Sequence, residues 1–240
     1  MTGAGGMGAA VARRIGSGRT VILADAFPEH LERTVGALHA EGYDVRGRVT
    51  DIADRDSVAG LAAFTAEAGR LTAVVHTAGV SAATSTVHRI MAVDLAGTAY
   101  LIEEFEPLTG PGTSVVCVAS MAGHYAQLSA ADEQALATAP ADRLLGLDVV
   151  AGFDGDPVSA YILAKRANQV RVQAAALPYN RRGARINTIS PGVVATAMAR
   201  AEQQSSSGTH MMAMLDACGA GRTGTPAEIA EAAAFLTGPG

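Results

Sequence analysis

The run Thr2-Gly3-Ala4-Gly5-Gly6-Met7-Gly8 decides how this chain of 240 residues is expected to fold. Three of its glycines have the G-x-G-x-x-G spacing, in which glycine allows a tight turn, a close approach to a pyrophosphate and close packing of the next helix. Residues 7–15 carry apolar side chains at helical spacing, and the amides that begin such a helix bind phosphates. We therefore expect five residues to contact a dinucleotide: Gly3, Gly5, Gly6, Met7 and Gly8.

Asp25 ends the first apolar strand that the sequence predicts, over residues 21–24. It lies 17 residues after Gly8 and 22 after Gly3, close to the separation of about 20 at which an acid binds the adenosine ribose of NAD. A carboxylate there repels a 2′-phosphate, and no arginine stands in the glycine-rich run or directly after Asp25. The cofactor is therefore predicted to be NAD rather than NADP. A glycine-rich turn with a capping acid is the alternative interpretation.

Short apolar runs alternate with alanine-rich helical stretches along the rest of the chain. Strands that are apolar throughout and are each followed by a helix predict a parallel sheet covered on both faces. The fold class is therefore α/β, a doubly wound three-layer α/β/α Rossmann fold in a single domain over residues 1–240. Strands are predicted at 21–24, 73–76, 115–119 and 185–189, and helices at about 27–41, 56–68, 90–105 and 160–177.

Composition limits the classes of partner. The net charge of −5 argues against nucleic acid or an anionic membrane surface, and no apolar run is long enough to span a membrane. Two cysteines without a C-x-x-C motif favour a reducing, cytoplasmic location. The six histidines show no ligand-like spacing, so no metal site is predicted.

Tyr161 and Lys165 stand four residues apart on a predicted helix and therefore share one face. An ammonium beside a phenol favours the phenolate, so we expect the pKa of Tyr161 to be lowered and its side chain to act as a general acid/base. On its own this spacing is common on exposed helix faces.

Together with Tyr161-x-x-x-Lys165, the run from Arg185 to Thr196 and the segment 221–236 are similar to the short-chain dehydrogenases/reductases. The resemblance covers nearly the whole chain and is closest to NAD-dependent members that oxidise alcohols and steroids. It implies four catalytic positions: Ser120, Tyr161, Lys165 and Asp94. It also implies, beside the glycine-rich run, Asp25, Tyr161 and Lys165, these cofactor contacts: Asp51, Ile52, Ala78, Gly79, Pro191, Gly192, Val194 and Thr196.

The implied activity is hydride transfer between NAD(H) and a secondary alcohol or ketone, with a hydroxysteroid or a similar apolar small molecule as candidate substrate. The resemblance also implies a homo-oligomer, a dimer or a tetramer. A catalytically weak dinucleotide-binding or sensing protein is the alternative. A methyltransferase is a third hypothesis, but it has no use for the tyrosine–lysine pair.

Several features depart from the family pattern. The glycine-rich loop is one residue short, His76-Thr77 replaces a pair of asparagines, and Asp94 replaces an asparagine. Residues 124–159 form an insertion, with one or two amphipathic helices over 130–147 that offer Leu136, Leu144, Leu145 and Leu147 for burial. The first and last family strands have no counterpart, so we expect a fragment of a longer chain.

Residues 197–222 are expected to form a substrate lid. A cluster of three methionines could line an apolar pocket beneath it or only pack the lid onto the sheet: Met211, Met212 and Met214.

Overall fold

Five parallel strands form the centre of the computed structural model, which describes residues 1–204 and 208–239. The strands are β1 (Val21–Asp25), β2 (Val45–Val49), β3 (Ala73–His76), β4 (Ser114–Val118) and β5 (Arg185–Ile189). They lie as one pair, β2-β1, and one triplet, β3-β4-β5. Each strand is followed by a helical element, the kind of crossover that parallel strands require.

Thr2 lies between the pair and the triplet. It forms parallel bridges to Ala24 of β1 and His76 of β3. Its amide donates to the Val75 carbonyl at 3.1 Å, and its own carbonyl accepts from the Thr77 amide at 2.9 Å. The bridges make the five strands one sheet, with Thr2 in its central position. A cavity of about 320 Å³ lies beside it, between β1 and β3.

Helices cover both faces of the sheet. They are α1 (Gly6–Ile15), α2 (Pro28–Ala40), α3 (Arg55–Glu67), α4 (Val87–Ile90), α5 (Thr98–Phe105), α6 (Ala130–Thr138), α7 (Asp148–Ala151), α8 (Pro157–Arg181), α9 (Ala197–Gln203), α10 (Gly208–Ala217) and α11 (Pro226–Thr237). Short 3₁₀ segments span Glu106–Leu108, Met121–Tyr125 and Ala141–Gly146, and a π-helix spans Met91–Gly97.

The core is divided between the two faces by strand alternation. On one face α3, α5 and α8 pack against residues such as Val74, Val115 and Ile186. On the other face α1 and α11 pack against Val75 and Val116. Successive strand side chains point to opposite faces, so Val74 and Val75 serve different layers. The predicted three-layer α/β/α class is confirmed.

The sequence prediction missed β2. Of its five residues only Val45 is buried, because β2 is the outer strand beside β1 and carries Arg46 and Arg48. Such a strand lacks the apolar run by which the other four are recognised. The helix predicted over 90–105 begins earlier, at Val87, and its middle is the π-helix.

Residues 124–159 contain α6, a 3₁₀ segment and α7. Leu136 and Leu144 are completely buried and belong to a cluster with α8. Leu147 packs against the same cluster. Leu145 is 37% exposed, so its predicted burial is wrong. It points outward because the 3₁₀ segment has three residues per turn and turns only one of two successive leucines inward.

Residues 197–222 carry α9 and α10. The side chains of Met211 and Met214 and the residues Ser205, Ser206 and Ser207 lie outside the described part of the chain. Met212 is 42% exposed. Of the two cysteines, Cys218 follows α10 and is exposed, whereas Cys117 lies buried in β4.

Within residues 1–204 and 208–239, no helix has the length and apolarity needed to cross a membrane. The same residues bring no three metal-ligating side chains together.

Candidate active site

The glycine-rich run forms a tight turn that only glycine permits at two positions. Gly3 has φ +87°, a left-handed conformation that is strained for other residues. A Cβ at Gly8 would collide with the Gly3 carbonyl oxygen. The turn therefore packs the start of α1 directly against the chain leaving the sheet.

The first turn of α1 presents unpaired amides to a cavity of about 300 Å³. The helix begins at Gly6, and its N-cap Gly5 makes no side-chain capping bond. Gly5, Gly6 and Met7 line the cavity. Amides at a helix start have no partner within the helix and carry the positive end of its dipole, so this donor set fits a pyrophosphate.

Asp25 lies at the wall of this cavity, at the carboxyl end of β1. Its Oδ2 accepts from the Ala4 amide at 2.8 Å, and its Oδ1 accepts from the Phe27 amide at 3.0 Å. His30 Nδ1 lies 3.3 Å from Oδ2. The carboxylate is thereby fixed where a strand end meets the helix start, as a ribose-binding acid requires.

The lining of the cavity also includes an ion pair and an exposed ring. Arg89 lies 3.4 Å from Asp51 Oδ2, and Phe27 is 68% exposed. Ile52, which follows Asp51, lines the cavity too. The lining also includes Ala78, Gly79 and Thr196. Two of the predicted cofactor residues, Gly8 and Lys165, are buried and are not on the wall of this cavity.

A second cavity of the site, of about 230 Å³, adjoins the 300 Å³ cavity beside α1. The two share Met7, Thr196 and Met198. Ser120 enters it from the end of β4, and Tyr161 enters it from α8. Pro191, Gly192 and Val194 line the same space, after β5. Ser120 and Tyr161, two of the four predicted catalytic residues, therefore lie at the carboxyl ends of the strands, where open α/β sheets place ligands.

Tyr161 has a pKa above its ordinary value, which corrects the expectation that Lys165 would lower it. Burial is the largest cause. The Lys165 ammonium, 5.2 Å from the centre of the ring, acts in the lowering direction, and so does Ser120. Asp94 and Glu202 of α9 raise the pKa further through their charge. The desolvation of a buried phenol outweighs one nearby cation that is itself paired with a carboxylate.

Lys165 and Asp94 form a buried ion pair behind the two cavities. Lys165 Nζ donates to Asp94 Oδ1 at 2.9 Å, and the side chains are 6% and 0% exposed. Burial lowers the pKa of the Lys165 ammonium, but Asp94 and Tyr161 more than offset this, so the pKa lies above its ordinary value. Asp94 belongs to the π-helix, a distortion frequent at functional sites. Lys165 is therefore held in its charged form.

His76 and Thr77 make hydrogen bonds in place of the family's two asparagines. Thr98 Oγ1 donates to the Asp94 carbonyl at 2.8 Å, so it accepts from His76 Nε2, 3.0 Å away. His76 Nδ1 then accepts from Thr2 Oγ1 at 2.6 Å. Thr77 Oγ1 donates to the Thr2 carbonyl at 2.9 Å. Burial lowers the pKa of His76 to about 3, so its ring stays neutral.

The cavity residues that sequence reasoning missed include Phe27, His30, Arg89 and Glu202. Phe27 and His30 lie two and five residues after Asp25, so their nearness to it in the sequence was a usable signal. Arg89 and Glu202 reach the cavities only through tertiary folding, because they lie on α4 and α9.

Two family models match the chain. The model described as short chain dehydrogenase matches residues 1–131. The model described as Enoyl-(Acyl carrier protein) reductase matches residues 147–240. Together they leave out part of the 124–159 segment.

Individual proteins agree with the models. A short-chain dehydrogenase/reductase, bsc3, of Alternaria brassicicola is 39% identical over 98% of this chain and 87% of its own length. The 3-alpha-hydroxysteroid dehydrogenase from Pseudomonas sp. B-0831, solved with NADH, is 25% identical with a TM-score of 0.78, covering 99% of this chain and 88% of that one. Actinorhodin polyketide ketoreductase, solved with NADPH, is 23% identical with a TM-score of 0.74, covering 99% and 88%.

Proposed function

The chain belongs to the short-chain dehydrogenase family, and from that premise we propose that it is an NAD-dependent oxidoreductase acting on a secondary alcohol or ketone. The observation that carries the proposal is the placement of Ser120 and Tyr161 in a cavity that adjoins the one beside α1. Membership of the short-chain dehydrogenase family excludes the methyltransferase hypothesis.

The nicotinamide dinucleotide supplies the hydride acceptor or donor. The chain's own residues would bind this cofactor and transfer the proton of the substrate hydroxyl. The amides at the start of α1 would bind its phosphates, Asp25 would bind its ribose hydroxyls, and the segment from Pro191 to Thr196 would hold its nicotinamide. Tyr161 takes the proton of the substrate hydroxyl in oxidation and returns it in reduction. Ser120 hydrogen-bonds the same oxygen and stabilises the charge that develops on it.

The preference for NAD over NADP rests on charge at the adenosine end of the cavity. The Asp25 carboxylate is fixed there by two amides and would repel a 2′-phosphate. Arg89, a cation that could compensate, is paired with Asp51. NAD, with two ribose hydroxyls, suits this arrangement better.

A compact apolar substrate fits the second cavity. Its wall is made largely of aliphatic and thioether side chains, among them Met121, Val158, Ile162 and Met198. The similar hydroxysteroid dehydrogenase acts on a molecule of this chemistry, so a hydroxysteroid or another apolar secondary alcohol is our proposed substrate class.

One observation favours a catalytically weak dinucleotide-binding protein as the second candidate. The charge of Lys165 is offset by Asp94, and the pKa of Tyr161 is raised. Both changes reduce the phenolate available at neutral pH.

The two candidates are separated by a titration with NADH and NADPH and by the Tyr161→Phe variant. The chain has no tryptophan, so the emission of the nicotinamide is read without interference. We expect saturable binding of NADH, weaker binding of NADPH, and turnover of secondary alcohols that falls about 10²–10⁴-fold in Tyr161→Phe while NADH affinity is kept. Tyr43→Phe is the control, because Tyr43 bonds the Arg13 carbonyl, outside both cavities.

Three outcomes count against parts of the proposal. Tighter binding of NADPH overturns the NAD preference. NADH binding without turnover of any secondary alcohol or ketone favours the binding protein. Equal turnover by Tyr161→Phe removes Tyr161 from the proton transfer.

The homo-oligomer and the cytoplasmic location stay predictions. Light scattering of the purified chain tests the first, and we expect a dimer or a tetramer.

A further inference from the structure

His30 lines the cavity beside α1 at the place where its carboxylate and its phosphate-binding amides meet. The residue belongs to the first turn of α2. Its Nδ1 lies 3.3 Å from Asp25 Oδ2. Its Cε1 lies 3.8 Å from the position that a Cβ on Gly5 would occupy, and Gly5 is the N-cap of α1. The ring therefore contacts the groups to which we assign the ribose and stands beside those to which we assign the phosphates.

The imidazole of His30 can exchange protons with solvent. Its side chain is 38% exposed, whereas that of Asp25 is 11% exposed. Histidine is the side chain that ordinarily gains its proton between pH 5 and pH 8. The protonated ring carries an N–H group on each nitrogen, so one can pair with a carboxylate while the other is left for a second acceptor.

The charged groups around His30 leave Asp25 as its direct partner. In the described lining of the cavity, Asp51 and Arg89 are also charged, and they pair with each other. Gly47 of β2 faces α2, so the two arginines that flank it in the strand point to the opposite face of the sheet. The basic residues of α1 lie in its last turn. The charged neighbours on α2 itself are exposed: Glu29, Glu32 and Arg33.

We propose that His30 sets how strongly the cavity prefers NAD over NADP: the neutral ring leaves the Asp25 charge to repel a 2′-phosphate, whereas the protonated ring offsets that charge and donates to the phosphate. The inference rests on the proposed binding of a dinucleotide in this cavity and deepens it. Discrimination by a repulsive group is a common route to specificity, and a group that cancels the repulsion relaxes it. The preference for NAD should therefore be strong at pH 8 and weaker at pH 6.

Titration of the full chain with NADH and with NADPH at pH 8 and pH 6, read by nicotinamide emission, tests the proposal without turnover. The measured quantity is the ratio of the Kd for NADPH to the Kd for NADH. A phosphate ester takes up its second proton at about pH 6, so part of the fall in this ratio does not need His30. His30→Gln keeps a polar side chain without the charge and measures that part. We expect the wild-type ratio to fall roughly three- to tenfold more than the ratio of His30→Gln.

Two further variants sharpen the experiment. His30→Arg carries its charge at both pH values, so its ratio at pH 8 should fall to the wild-type value at pH 6 or below it. His39→Gln is the matched control, because His39 is exposed in the last turn of the same helix. It should keep the wild-type fall.

The outcomes separate this inference from the proposed function. An equal fall in the wild type and in His30→Gln, or a ratio at pH 8 that His30→Arg leaves unchanged, would overturn the role of His30 while NADH still binds. Binding of neither dinucleotide at either pH would overturn the proposed function and this inference together.

Discussion

Asp94 is the residue whose replacement should change the chemistry most clearly. Its carboxylate raises the pKa of Tyr161 and pairs with Lys165 at 2.9 Å. Asp94→Asn keeps the shape and the backbone carbonyl but removes the charge. We expect the acid limb of kcat/KM for alcohol oxidation to move to lower pH, because Tyr161 must be deprotonated to accept a proton and its pKa falls. The measurement is a pH–rate profile.

A structural defect would lower the plateau of this profile without moving its limb. Glu104→Gln, which removes a carboxylate paired with Arg55, is the matched control and should leave the limb in place. A limb that stays fixed or moves to higher pH in Asp94→Asn would contradict the assigned electrostatics.

His76 should make the stability of the fold depend on pH. Its pKa is lowered to about 3 in the folded chain, against an ordinary value near 6.5, because the buried ring resists protonation. The unfolded chain takes up a proton first, so the stabilisation is complete above pH 6.5 and is lost as pH falls from 6.5 toward 3. Between pH 8 and pH 5 we expect a loss of about 2 kcal/mol in the free energy of unfolding.

Urea unfolding at the two pH values measures this loss. His76→Asn should show a smaller difference between pH 8 and pH 5 than the wild type, whatever its stability at pH 8. Exposed His124→Asn should keep the wild-type difference. An equal pH dependence in His76→Asn would show that other groups are responsible.

At the scale of elements, the helices of residues 124–159 are a stabilising part of the core. Leu136 of α6 is completely buried among side chains of α8, whereas Leu145 is 37% exposed. Leu136→Ala should reduce the free energy of unfolding by about 2–5 kcal/mol, since it removes buried apolar surface and leaves a cavity. Leu145→Ala should change it by less than about 0.5 kcal/mol. Similar losses in both variants, measured by urea unfolding, would contradict the packing.

Arg171 helps to hold the helices of residues 124–159 in place. Its guanidinium donates to the Ala139 carbonyl at 2.8 Å and to Glu103 Oε1 at 2.8 Å. Glu103 Oε1 also accepts from the Ala141 amide at 2.8 Å. An arginine on α8 and a glutamate on α5 therefore satisfy the backbone between α6 and the 3₁₀ segment. No local sequence pattern predicts contacts between residues so far apart in the chain.

Elements with a strong local signal were predictable. The strands β1, β3, β4 and β5 are apolar runs, and α1 follows a glycine-rich turn that few other residues could form. β2 was missed because packing against β1, and not its own composition, makes it a strand. The positions of Ser120, Tyr161 and Lys165 followed from short motifs. The raised pKa of Tyr161 did not, because it depends on burial and on Asp94, 67 residues away.

At the scale of the whole molecule, the cavity beside α1 is lined by residues from both the β1-β2 pair and the β3-β4-β5 triplet. Asp25 belongs to the β1-β2 pair, whereas Thr77 and Ala78 follow β3 of the triplet. Within the described residues Thr2 bridges the two parts. A dinucleotide held by both would stabilise the fold as a unit.

Thermal unfolding with NADH tests this expectation. Ligand at about 100 times its Kd adds about 2.7 kcal/mol, which raises the Tm of a domain of this size by roughly 5–10 °C. Asp25→Ala should show a smaller ligand-induced shift at the same NADH concentration. No shift in the wild type would mean that the cavity does not bind the dinucleotide.

The contrast between the two thiols has a practical consequence. Burial raises the pKa of Cys117 to about 12, so it will not react with a maleimide, whereas Cys218 is exposed at the end of α10. A fluorophore should therefore attach at one known position without any mutation. If the dye is chosen to accept energy from reduced nicotinamide, it would report the distance between the end of α10 and a bound NADH in the native sequence.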